Sequence, residues 1–339
     1  MVGRDLGVRY VLEGNVRRAG SNLRVTVQLV EAETGKILWT QKFDRPLSEL
    51  ADLQEDLVTE VAAHLGVQVQ KIEMERALKK PGDITAYEAV QRSMAIFGNL
   101  RMDNLPVAIA EARRAVAIAP DYGQAWAILA MSLSIQYFWT GSADESLKRD
   151  ALDSARRALS LAPNDVDVIV RAGSVFNYLD QPREALRHLE RALDRNPSMV
   201  MAHAIMGAVC LRLGRNDEAV AAYEAHERLA PGGFTLYAQL GGKARAYVQA
   251  GRLEQAVEVL ERSLRLNPDY SLTLVLQAGL CEMIGRTEDA ADAVRRLRSL
   301  EPMISADVYA KRYITLSDPI SSAPLIAAFR KVWDATPTE

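Results

Sequence analysis

AVAIAP at 115–120, ALSLAP at 158–163, ALDRNP at 192–197, ERLAP at 227–231, LRLNP at 264–268 and RSLEP at 298–302 decide the fold. Each phrase ends on a proline. Pro120, Pro163, Pro197, Pro231, Pro268 and Pro302 follow one another at intervals of 43, 34, 34, 37 and 34 residues. A period of 34 residues holds two helices of about a dozen residues and two turns, so the chain reads as stacked helix–turn–helix units. Proline cannot continue a helix, and each one closes the second helix of a pair.

A second phrase recurs between the prolines: LGRNDEAV at 213–220, AGRLEQAV at 250–257 and IGRTEDAA at 284–291. Its glycine (Gly214, Gly251 or Gly285) ends the first helix, where a left-handed residue favours glycine. Aligned on the prolines, the first helices supply Trp126, Leu129, Ala130 and Leu133, then Ala172, Gly173 and Phe176, then Met206, Gly207 and Cys210. The second helices supply Ala151, Ala155 and Ala158, then Ala185, Leu189 and Ala192, then Ala219 and Tyr223. Small residues stand where helices approach closely and large ones where gaps between units are filled.

This pattern resembles tetratricopeptide repeats, with W-x2-L-G-x2-Y in the first helix and A-x3-F before the proline in the second. The expected fold is mainly α. A right-handed solenoid of about six such hairpins spans 84–302, and capping helices span 303–339, the last opened by Pro324. Residues 86–120 form a divergent first unit, with Arg92 and Asn99 at positions usually apolar. The irregular intervals place extra residues around Tyr137 to Lys148 and around Gly232–Gly233–Phe234.

The first eighty residues follow another period. Val8, Tyr10 and Leu12, then Leu23, Val25, Val27 and Leu29, then Ile37, Trp39, Gln41 and Phe43 step by two. With turns at Gly20–Ser21–Asn22 and Glu33 to Lys36, they predict a three-stranded antiparallel meander. Leu47, Leu50, Leu53, Leu57, Val61 and Leu65 step by three and four and predict an amphipathic helix over about 47–65. The reading is a small α/β unit over 1–77 with one sheet edge uncovered, and a linker, LKKPGD, at 78–83.

Residues 3–44 also carry a resemblance. The LEG-x-V-R phrase at Leu12 to Arg17, the turn from Leu29 to Gly35, and the ending from Leu38 to Asp44 are similar to the second half of the TolB-like N-terminal domain. That resemblance implies a strand and helix ahead of this chain. Further upstream it implies a class III adenylate or guanylate cyclase domain or a winged-helix DNA-binding domain. The chain would then be the C-terminal portion of a bacterial signalling protein, truncated or shortened.

Composition narrows the function. Lysine and arginine number 41 and aspartate and glutamate 44, for a net charge of −3. That balance removes the electrostatic case for nucleic-acid binding. No run of 18 apolar residues exists and the N-terminus lacks a signal-peptide core, so a cytoplasmic location is expected. A membrane helix upstream would instead make the location periplasmic. Cys210 and Cys281 take equivalent places in the middle of a first helix and are expected as packing residues. His64, His188, His203 and His226 form no metal-ligand pair. Gly241–Gly242–Lys243 lacks the leading glycine of a phosphate loop. The aromatic run Tyr137–Phe138–Trp139 fits packing. No catalytic motif, cofactor site or metal site emerges.

The expected function is therefore a non-catalytic scaffold that holds a protein or peptide partner in the concave groove lined by the first helices. By repeat position the groove presents Gln124, Asp167, Ser174, Asn177, Tyr178, Arg212, Arg245, Gln249 and Glu282. Val170, Ala204 and Gly241 stand where a clamp for a peptide's C-terminal carboxylate would place lysine, which argues against such a clamp. The alternative is a fragment of an adenylate cyclase or of a winged-helix regulator.

Overall fold

The computed structural model describes residues 7–46, 50–79, 84–97, 104–140, 144–231, 233, 235–315 and 319–337. The chain separates into two compact units, with the division between Ile72 and Glu73.

The first unit holds three strands, β1 (Tyr10–Ala19), β2 (Asn22–Glu31) and β3 (Ile37–Pro46), in the order β1-β2-β3. Both pairs are antiparallel. Gly20, at φ 63°, allows the tight β1–β2 turn, and Gly35, at φ 72°, the next one. Alternation sends Val25, Val27 and Phe43 into one small core, joined by Leu23, Trp39 and Val61. In the register, Val16 opposes Val25 and Leu12 opposes Leu29, so β1 continues this apolar face. There it is uncovered: Leu12 is 44% exposed and Val16 62%.

α1 (Leu50–Lys79) corrects the expected helix end near 65. Gly66 does not stop it, because Met74 and Ala77 beyond it are buried, and that burial outweighs one glycine's helix cost of about 1 kcal/mol. Leu47 and residues 80–83 of the linker lie outside the described residues.

The second unit, from Glu73 onward, is the helical array. Its six hairpins are α2 (Ala86–Phe97) with α3 (Leu105–Ile118), α4 (Gly123–Trp139) with α5 (Glu145–Leu161), and α6 (Val166–Tyr178) with α7 (Pro182–Arg195). They continue as α8 (Val200–Arg212) with α9 (Asn216–Leu229), α10 (Leu236–Gln249) with α11 (Leu253–Leu266), and α12 (Ser271–Met283) with α13 (Thr287–Leu300). α14 (Ala306–Thr315) and α15 (Pro319–Ala335) follow. Each hairpin packs within itself and on its neighbours, the arrangement of a solenoid.

The glycine stops behave as their positions require. Gly214, Gly251 and Gly285 have φ of 70°, 72° and 79°. Past Gly214, the Arg215 N–H donates to the Cys210 carbonyl at 2.9 Å and the Gly214 N–H to the Leu211 carbonyl at 3.2 Å. This reversed pair of bonds satisfies carbonyls that the helix end would otherwise orphan. In the third hairpin Asp180 takes the same slot, at φ 65°, with the Gln181 N–H on the Phe176 carbonyl at 2.8 Å. The cysteines are buried in the last turn of their helices rather than the middle, and their carbonyls anchor these stops.

The small residues do close the seams. Ala155, Ala158, Ala185, Ala192, Ala219, Ala256 and Ala290 are all fully buried. The extra residues of the second hairpin lengthen α4 and α5 to 17 residues each. Arg92, at its apolar position, donates from Nε to the Ala77 carbonyl at 3.0 Å. Gly232 and Phe234 lie outside the described residues, as do the side chains of Trp139 and Leu50 to Leu57. The last helix opens at Pro319, and Pro324 lies inside it. The bond lost at Pro324 is to the carbonyl of Ile320, a residue 84% exposed whose carbonyl water can serve.

Candidate functional site

The repeat brings polar groups together on the inner helices of the second half. α10 carries Gly241 and Gly242 side by side. A Cβ on Gly242 would lie 2.5 Å from the Tyr223 hydroxyl oxygen, and one on Gly241 2.8 Å from Thr273 Oγ1. The two glycines are thus space for neighbours. They floor a small cleft with Ala238, Arg245, Tyr270, Leu272, Thr273 and Leu276. Lys243 is no phosphate ligand: it lies buried within the helix, 3.2 Å from Glu224 and 3.5 Å from Glu227.

Tyr270 lines the same cleft as Arg245, and Tyr178 and Tyr223 lie within reach of its charge. Burial raises the phenols of Tyr178 and Tyr270 above their ordinary range and pushes that of Tyr223 up to about 12. The Arg245 charge opposes the rise in all three, which places its guanidinium within electrostatic reach of each ring. All three phenols stay protonated at neutral pH and act as donors. None of their hydroxyls has a hydrogen-bond acceptor among the described residues. The Tyr237 ring packs edge-on against Tyr270, with centroids 5.0 Å apart, and helps fix it.

Amides continue the polar strip. Nε2 and Oε1 of Gln249, Oδ1 of Asn177 and Oε1 of Gln277 are buried without a partner. Beside Asn177, Arg212 bonds the Asn177 carbonyl and Asp180 Oδ1, the latter at 2.5 Å. Burial lowers the Arg212 pKa from its usual value, and the Asp180 charge works against that.

Five of the nine groove residues expected from sequence fall in this region: Asn177, Tyr178, Arg212, Arg245 and Gln249. The others sit elsewhere. Gln124 ties two hairpins by donating to Asp165 Oδ2 at 3.0 Å. Asp167 is half-buried and Ser174 buried. Glu282 is engaged by Lys331 of α15 at 2.6 Å, on the helix where Gly279 lets Leu325 approach.

Sequence reasoning missed Tyr223, which it assigned to packing, and Tyr270, which precedes its helix. A signal existed: Pro-Asp-Tyr occurs at 120–122 and again at 268–270, each time placing a tyrosine just ahead of an inner helix. It also missed Arg171. This residue of α6 is 6% exposed, and its guanidinium donates to Met94 Sδ at 3.3 Å and Met131 Sδ at 3.9 Å. Thioether sulfur is a weak acceptor, so a buried cation here is poorly answered.

Among the described residues, no cluster of three His, Cys, Asp or Glu side chains could hold a metal ion, and no helix is long and apolar enough to cross a membrane.

Comparison with known proteins agrees with the architecture. The tetratricopeptide repeat model matches residues 170–234 and 242–302. A protein of Rhizobium meliloti (strain 1021) named "Putative adenylate cyclase 3" is 30% identical over 161 residues, which cover 47% of this chain and 27% of that protein. Anaphase-promoting complex subunit 7 of Dictyostelium discoideum is 27% identical over 177 residues, covering 52% of this chain and 28% of that protein. The chain thus spans about a quarter of the length of these curated relatives. Among solved structures, a monomeric mutant of IFIT1 with Gppp-AAAA superposes with a TM-score of 0.57 at 16% identity, covering 74% of this chain and 59% of that one. The Cut9-Hcn1 hetero-tetramer of the APC/C gives 0.53 at 13% identity, covering 68% and 42%. Residues 170–234 and 242–302 of the helical array are tetratricopeptide repeats.

Proposed function

We propose that this chain is a non-catalytic scaffold whose concave groove binds an extended segment of a protein partner, and that it acts in the cytoplasm as the regulatory or sensing part of a bacterial signalling protein. The observation that carries the binding reading is the set of unanswered polar groups facing the groove. Among the described residues, Asn177 Oδ1, both amide atoms of Gln249 and Gln277 Oε1 are buried without a hydrogen-bond partner. A folded chain rarely leaves so many buried donors and acceptors unmade, and an extended peptide backbone offers both kinds. A photo-reactive residue in place of Gln249 should cross-link a discrete protein from a lysate of the source cell. The same residue in place of the exposed Arg187 should not. Identical products from both positions would sink the reading.

The signalling part is supported by the match to the Rhizobium meliloti protein and by the TolB-like resemblance of residues 3–44. An alternative is that the chain is a fragment of a class III adenylate cyclase or of a winged-helix regulator. Expressed alone in a cyclase-deficient reporter strain, the chain should produce no cyclic AMP. Cyclic AMP from this chain by itself would overturn the non-catalytic reading.

A further inference from the structure

Arg171 is a buried cation with weak partners. It stands on α6, four residues after Asp167 and three before Ser174, on the helix stripe that faces the groove by repeat position. Its guanidinium reaches two earlier inner helices, donating to Met94 Sδ of α2 at 3.3 Å and to Met131 Sδ of α4 at 3.9 Å. Among the described residues no carboxylate, Asp167 included, pairs with it. The charges around it are spoken for or absent. α4 carries none along its 17 residues. On α2, Glu88 accepts from Thr85, and Arg92 bonds the Ala77 carbonyl and lies 3.9 Å from Glu111. Asp165, just ahead of α6, accepts from Gln124 and from the Val168 N–H. A second group on the same helices is left unmade: Gln91, 6% exposed and one turn before Met94, has its Oε1 buried without a partner.

We propose that Arg171 anchors a carboxylate side chain of an acidic, extended protein segment lying along the inner helices of the first three hairpins, with a backbone N–H of that segment donating to Gln91 Oε1. This rests on the groove-binding reading above and names the partner's chemistry at a second place in the array. Guanidinium has five N–H donors in a fixed fork, and its bonds to sulfur are the weakest it can make. A carboxylate replaces them with two parallel charge-assisted bonds, which a lysine would not provide. The two methionines hold the guanidinium in place and are released at little cost, since each is a flexible chain ending in a poor acceptor. Burial strengthens the attraction, because the apolar surroundings screen it less than water would. Val170 stands where a chain-terminus clamp would place lysine, so the carboxylate is a side chain's.

The test uses the full chain and a fluorescein-labelled, C-terminally amidated peptide of alternating glycine and glutamate, read by fluorescence anisotropy. Its glycine–glutamine counterpart should bind about tenfold more weakly, and binding of the glutamate peptide should fall as salt rises. Arg171→Met should weaken the glutamate peptide about tenfold and leave the glutamine peptide unchanged. Arg171→Lys keeps the charge, loses the fork, and should cost about threefold. Arg187→Gln, exposed on the outer helix α7, should change nothing. Saturating glutamate peptide should raise the melting temperature of the wild-type chain and not that of Arg171→Met. Circular dichroism confirms that each variant is folded, and Arg171→Lys carries the test if Arg171→Met is not.

Equal binding of the two peptides, or equal losses in the Arg171 and Arg187 variants, would overturn the carboxylate assignment. So would failure of the glutamate peptide to bind. In each case a discrete cross-link at position 249 leaves the groove reading standing, and an empty one takes both readings down. A phosphoserine peptide binding about tenfold tighter than the glutamate peptide would replace the carboxylate with a phosphoryl group.

Discussion

The first three hairpins and the last three share one period and spend it differently. In the first half, the inner helices fill their faces with Val90, Ile128, Met131 and Val170, all buried, and with the buried cation Arg171. In the second half the corresponding stretch of α10 carries Gly241 and Gly242, and tyrosines and amides crowd the space that opens. The stops differ as well: Asp180 stands in the third hairpin where Gly214, Gly251 and Gly285 stand in the next three. The family model matches from residue 170 onward, the more regular part. Backbone spacing sets the scaffold, and side-chain size on the inner helices decides whether a hairpin closes its groove or opens it.

The largest effect tests the seams common to both halves. Ala192, in α7, is fully buried between helices. Ala192→Glu would bury a charge with no partner and should cost about 4 kcal/mol or more, at the upper end for point substitutions. An unchanged melting temperature would mean that the repeat register is wrong at this position.

One repeat further on, the equivalent residue is His226, buried at the same seam with Nδ1 unpartnered. The second half thus carries a titratable group where the first has a methyl, and tolerates it while it stays neutral. Burial lowers its pKa from 6.5 to about 4, with smaller opposed contributions from His203 and Glu227. The unfolded chain therefore binds the proton more readily than the native state. The stabilisation from a neutral His226 is full above pH 6.5 and is lost as pH falls from there through about 4. The loss approaches about 3 kcal/mol. Urea titrations between pH 7.5 and 4 should show a shallower pH dependence for His226→Leu, the residue found at Leu297 in the last hairpin. Parallel profiles for the two proteins would refute the assignment.

These two residues also mark how far the sequence could be read. Prolines and glycines announce the hairpins because few other residues fit the backbone geometry they serve. Alternation announces the sheet because one face is dry. The end of α1 was not legible, since it depends on the burial of Met74 and Ala77 against helices that come later in the chain. Arg245, Tyr178 and Gln249 could be assigned to the groove by counting from the prolines. Tyr223 and Tyr270 could not, because one belongs to a second helix and the other to a turn. Only the stacking of three hairpins brings them to the same arginine.

A smaller effect concerns the cation of the first half. Among the described residues, Arg171 has two thioethers and no carboxylate as partners. A buried charge left this way costs more than its packing returns, so Arg171→Met should raise stability by about 2 kcal/mol in the absence of any partner. Thermal melts of the two proteins decide it. A fall in melting temperature would show that the guanidinium is a structural strut of the closed half.

The smallest effect transplants a feature from one half to the other. Asp180→Gly gives the third hairpin the stop used by the next three. It relieves a left-handed residue, worth about 1 kcal/mol, and removes the pair with Arg212. That pair is modest, because the Asp180 side chain is 84% exposed and solvent screens it, leaving at most about 1 kcal/mol. Glycine also loosens the unfolded chain, so the net change should be within about 0.5 kcal/mol of zero. Asp180→Ala separates the contributions. It loses the same ion pair and keeps the left-handed strain but not glycine's unfolded-state cost, so it should be about 0.5 kcal/mol less stable than Asp180→Gly. If the two variants melt together, the backbone contributes nothing at this turn. Aspartate was then retained for Arg212, and the difference between the halves begins with that ion pair rather than with the stop.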